Sequence, residues 1–69
     1  MSQFNVPTEQ KTALLQERIS SLNLEGYQNE LNLKSAEALG NQEVIDQATA
    51  NIAIIKSAIE VHEAELGNI

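Results

Sequence analysis

Ile45, Ala48, Ile52, Ile55, Ile59, His62 and Leu66 recur at alternating intervals of three and four. Residues at those intervals share one face of an α-helix, and an aliphatic face of that length must be covered by another helix. The seam commits the chain to helix-on-helix packing. The remaining residues read as the means of covering it.

Size limits what that packing can achieve alone. A chain of 69 residues is one domain at most, and it buries only about 60% of the surface its unfolded form exposes. Chains this small draw stability from disulfides, a metal or a partner. With no cysteine present, disulfides and thiolate ligands are excluded, and a partner is the expected route. Ten acids against four bases give a net charge of -6, which repels phosphate backbones and anionic lipid and argues against nucleic acid as a partner. Phe4 and Tyr27 are the only aromatic residues, too few for an aromatic-lined pocket or a base-stacking platform. No apolar run approaches the roughly 18 residues of a membrane span, and the N-terminus has no basic and apolar leader pattern. A soluble, intracellular protein that uses no membrane is expected.

The predicted organisation is a single helical-hairpin domain over residues 1–69. An extended arm (1–6) leads to a first helix from about 7 to 39, a turn at 40–41, a second helix from about 42 to 66, and a tail at 67–69. Pro7 suits a helix start, with Thr8 or a residue just before Pro7 as N-cap. Leu39-Gly40-Asn41 is the strongest stop signal, since glycine takes the left-handed conformation without strain. Gly67 is expected to end the second helix in the same way. Gly26 raises the question of a break, but no proline follows and Glu30 and Lys34 form an i,i+4 pair, so a continuous first helix is expected, with Gly26 marking close approach of another backbone. A short connection makes the two helices antiparallel. The expected fold class is all-α, a coiled-coil-like two-helix hairpin that completes a helical bundle with another chain.

The first helix carries two apolar stripes. Ala13, Leu24, Tyr27, Leu31 and Ala38 lie on one side, and Leu15, Ile19, Leu22, Leu33 and Ala36 lie about 150° away. Folding about the Gly40-Asn41 turn matches Ala38 to Ile45, Leu31 to Ile52 and Leu24 to Ile59, which assigns the first stripe to the seam. The second stripe is then left for another chain to cover. Ile54 and Val61 lie more than about 100° from the centre of the second helix's seam, so they join that surface. The predicted interaction residues are therefore Leu15, Ile19, Leu22, Leu33, Ile54 and Val61.

His62 is the one seam residue with chemical potential. Zinc needs three or four ligands, position 66 is leucine rather than a second histidine, and position 59 is isoleucine rather than the glutamate of di-iron bundles. A polar layer is expected instead, with His62 hydrogen-bonded to Ser20, Ser21 or Glu17 and assembly loosening as pH falls. Glu60, Glu63 and Glu65 have no base after Lys56 and form a candidate acidic patch. Phosphate-loop, dinucleotide-binding and calcium-loop motifs do not occur, and Ser20 or Ser21 with His62 lacks an oxyanion-hole signal. No catalytic residue, metal or cofactor is assigned, and an enzyme is not expected.

The run from Tyr27 to Asn41, YQNELNLKSAEALGN, together with the Ala/Ile periodicity from Ala48 onward, resembles short helical-hairpin proteins encoded by tailed phages. The resemblance covers roughly residues 8–66 and implies a virion or assembly component that oligomerises or coats a larger protein. Two functions follow from the residues. The first is a structural interaction protein acting through the apolar surface, as a homo-oligomer or as a subunit of a larger assembly. The alternative is a small acidic regulator that inhibits a protein with a basic surface through Glu60, Glu63 and Glu65. Salt separates them, because screening weakens an acidic mimic but not apolar docking.

Overall fold

A computed structural model describes residues 3–69, so Met1 and Ser2 of the expected arm lie outside the described residues. Two helices, α1 (Thr8–Leu39) and α2 (Gln42–Gly67), lie side by side as an antiparallel hairpin. It is 49 Å long and 18 × 16 Å in section. Among the described residues there is no strand. The all-α two-helix hairpin and the continuous first helix follow the sequence reading, and α1 passes through Gly26 without interruption.

The turn is built as the sequence indicated. Gly40 sits at φ 70° and ψ 26°, and it is the one residue with positive φ among those described. Its N–H donates to Glu37 O at 3.2 Å while the Asn41 N–H donates to Ala36 O at 2.9 Å. This pair of bonds satisfies carbonyls that a helix end otherwise leaves open. Asn41 then caps α2, its side-chain oxygen accepting from the Val44 N–H at 3.3 Å.

Two of the expected helix ends differ. Pro7, not Thr8, occupies the N-cap of α1, and no side chain caps that end. The Pro7 carbonyl accepts the first helical bond from the Lys11 N–H at 3.0 Å, and Pro7 has no N–H of its own to satisfy. Gly67 does not end α2 in a left-handed turn. It is the last helical residue, and Asn68 forms the cap at φ -93°, a conformation that requires no glycine. The arm is also less extended than predicted, with a bend at Gln3 and Phe4 before residues of no regular structure up to Pro7.

Packing reverses the expected assignment of the α1 faces. Leu15, Ile19, Leu22, Gly26, Asn29 and Leu33 are half-buried and Ala36 is buried, whereas Leu24, Tyr27 and Leu31 are exposed. The half-buried set recurs at intervals of four and three along the whole of α1, so it is a heptad seam that matches the one on α2. Gly26 lies against Ile55. Heptad steps from that contact set Leu33 in the layer of Ala48, Leu22 in that of Ile59, and Ala36 in that of Ile45. Small residues thus face large ones, which lets two helices approach closely. The core remains thin: among the described residues Ala36, Ala48 and Ile55 are the buried hydrophobic ones, and no large side chain is fully enclosed.

Candidate interaction surface

The reversed faces relocate the surface that a partner could cover. Leu15, Ile19, Leu22 and Leu33, expected to face another chain, pack toward α2 instead. The physical reason is register. The expected fold about Gly40-Asn41 set Ala38 against Ile45, whereas the Gly26–Ile55 contact sets Ala36 there, and a shift of two residues turns α1 by about 200° and brings the other stripe inward. That seam contains Gly26 and Asn29 among its apolar residues. Gly26 admits Ile55 against the α1 backbone, and Asn29 is not stranded. Its side-chain oxygen accepts from Asn51 Nδ2 at 3.2 Å, and its own Nδ2 donates to Glu25 O at 2.9 Å. This cross-helix amide pair escaped the sequence reading. The available signal was that position 29 falls seven residues after Leu22 and seven before Ala36.

Ile54 and Val61 stand where the sequence placed them, outside the seam, at 67% and 62% exposure. With Ala50, Ser57 and Ala64 they form an outer stripe on α2. On α1 the outer stripe is Leu24, Tyr27 and Leu31, which are 62%, 57% and 45% exposed. At about 100° per residue, each outer stripe lies roughly 150–160° from its own seam. The hairpin therefore presents two apolar faces pointing in opposite directions. A third apolar group, at the open end, is a shallow groove where Phe4 and Val6 of the arm meet Leu14, Leu15 and Ile69.

The polar residues have local roles. The His62 Nδ1–H donates to Ala58 O, four residues earlier on the same helix, at 2.6 Å. It does not bond Ser20, Ser21 or Glu17 as predicted, because Ile19 occupies the α1 layer facing it. His62 is half-buried and lines a shallow pocket with Arg18, Ser21, Leu22 and Glu25. Glu60, Glu63 and Glu65 are exposed but do not share one face. Helix geometry sets Glu60 and Glu63 about 60° apart and Glu65 about 140–160° from both. Glu65 lines the open-end groove beside Lys11.

Among the described residues no three His, Cys, Asp or Glu side chains are grouped so as to hold a metal ion. No helix of the described residues is long and apolar enough to cross a membrane. No family model, curated protein or solved structure matches the chain.

Proposed function

We propose that this chain is a non-enzymatic structural and interaction protein, a helical hairpin whose core is completed by docking an outer face on another protein surface. One observation carries the reading. The hairpin exposes 5475 Å² of surface, whereas a compact monomer of 7.6 kDa exposes about 4,300 Å². The excess of roughly 1,200 Å² is more than the ~800 Å² that each partner contributes to a standard protein interface. Much of the exposed apolar area lies in the two outer stripes, and contiguous apolar strips on small monomers are interaction surfaces or aggregation liabilities. A component of a virion or of its assembly is the setting favoured by the resemblance to phage-encoded hairpins.

The test is thermal unfolding by circular dichroism over a hundredfold concentration range. The reading expects a melting temperature that rises with concentration, or a weakly stable monomer that a cognate surface stabilises. A monomer with a high melting temperature at every concentration would mean that the hairpin is complete by itself.

A further inference from the structure

We propose that the outer face of α1 is the contact surface for a second copy of this chain, lying antiparallel to the first across a twofold axis beside Glu25 and Gly26. This rests on the interaction reading above and names the partner it leaves open. From Ala13 to Ala38 the outer stripe of α1 follows intervals of four and three that read the same in both directions. A twofold contact requires a surface that complements itself, and a palindromic spacing supplies one.

The residues on that spacing agree with it. Next to the axis, Leu24 meets Tyr27 of the second copy, an aliphatic side chain against a ring. One layer further out Leu31 meets Ser20 of the second copy, large against small. Beyond that, Glu17 meets Lys34 of the second copy, an opposite-charge pair that the symmetry makes twice. Ala13 and Ala38 close the two ends with small side chains that allow close approach. Leu24, Tyr27, Leu31, Glu17 and Lys34 are all exposed in the hairpin. The flank made of Gln16, Asn23, Glu30 and Glu37 meets the same flank of the second copy, setting Glu30 against Asn23 and Glu37 against Gln16, so no like charges oppose each other in this register.

The outer face of α2 is the competing candidate, and electrostatics separates the two. Its stripe is also self-complementary, with Ile54 against Ser57 and Ala50 against Val61 of a second copy. On that stripe the charged residue, Glu43, meets Asn68 of the second copy, so no opposite charges are paired across it. Complementary charges across an interface steer association and fix register. The α1 face has two attractive pairs where the α2 face has none. The area also fits, since an interface of standard size needs about 800 Å² from each chain and the hairpin has that surplus.

The experiment is sedimentation equilibrium of the full chain and five variants at 0.15 M salt. The wild type is expected to dimerise. Leu24→Glu, which puts a carboxylate at the axis, should weaken the dimer by ~100-fold or more while leaving the helical circular dichroism of the hairpin intact, since Leu24 is outside the seam. Glu17→Lys and Lys34→Glu should each weaken it by roughly tenfold, and the double exchange should restore it to within about threefold of wild type. Spin labels on single cysteines, each introduced into this cysteine-free chain, should give a close pair at position 28 and a separation of roughly 35–40 Å at position 13. Loss of the dimer in Ile54→Glu but not in Leu24→Glu would overturn the proposal in favour of the α2 face. A wild type that stays monomeric throughout would overturn the second copy as partner. The interaction reading fails separately, only if that monomer also melts at a high, concentration-independent temperature.

Discussion

A Cβ added to Gly26 of α1 would lie 3.5 Å from Ile55 Cγ2 of α2, an ordinary van der Waals distance. The close approach expected at Gly26 is therefore to a side chain rather than to a backbone, and it has room for one methyl group. Gly26→Ala should stabilise the hairpin by about 0.5–1 kcal/mol, because alanine removes the entropic cost of glycine within a helix. A urea or thermal melt would show this, with a rise of roughly 4–8 °C per kcal/mol. Gly26→Leu should do the opposite by forcing the helices apart at Ile55, the most enclosed large residue.

The turn depends on two adjacent residues for different reasons. Gly40 has nothing within 4 Å of its would-be Cβ, so Gly40→Ala costs only the left-handed backbone conformation, about 1 kcal/mol. Asn41→Ala should cost about 1 kcal/mol by removing the bond to the Val44 N–H, and Asn41→Asp should retain most of it. Thr8→Ala is the control. With no side-chain cap at that end, its effect on the melt should stay within about 0.5 kcal/mol.

Leu31 and Leu33 separate the two faces of α1. Leu33 is half-buried toward α2, so Leu33→Ala should destabilise the hairpin by about 1–2 kcal/mol at any concentration. Leu31 points outward at 45% exposure. Leu31→Ala should cost less than about 0.5 kcal/mol in dilute solution and more as concentration rises and chains associate. Denaturant melts of both variants at two concentrations would distinguish the roles.

The seam of α2 and the Gly40-Asn41 turn were legible because their residue types state their roles directly. Isoleucines at intervals of three and four can mark only a covered helix face. A glycine followed by asparagine, after a polar helical run, can scarcely mark anything but a reversal. The seam of α1 was hidden because a two-residue difference in register about the turn exchanges its two stripes, and because two of the true seam's positions are not apolar. Glycine carries no side chain to count, and Asn29 reads as surface until its partner Asn51 is known. The exposed Leu24, Tyr27 and Leu31 therefore imitated a core stripe, and Leu15, Ile19, Leu22 and Leu33 were assigned outward. Ile54 and Val61 were placed correctly because the α2 seam left no ambiguity about which face was opposite. The spread of Glu60, Glu63 and Glu65 around the helix follows from helical angles alone, but closeness in sequence obscured it.

Asn29 gives a prediction of its own. A polar residue in a helical seam costs stability and specifies register. Asn29→Leu should stabilise the hairpin by about 1 kcal/mol, since Asn51 is exposed and can bond water once its partner is gone. Without the amide pair, sliding by a heptad loses its penalty, and a second set of amide resonances should appear in the heteronuclear NMR spectrum. A single sharp set would show that the turn alone fixes the register.

A hairpin with an incomplete core and outer faces that serve as contact surfaces, as proposed above, should associate as its concentration rises. Absolute mass by light scattering after size exclusion, over a hundredfold concentration series with helicity followed in parallel, tests it most directly. The expected result is a mass that rises from one chain to two as concentration increases, together with rising thermal stability. A mass of one chain throughout, with full helicity and an unchanging high melting temperature, would contradict it.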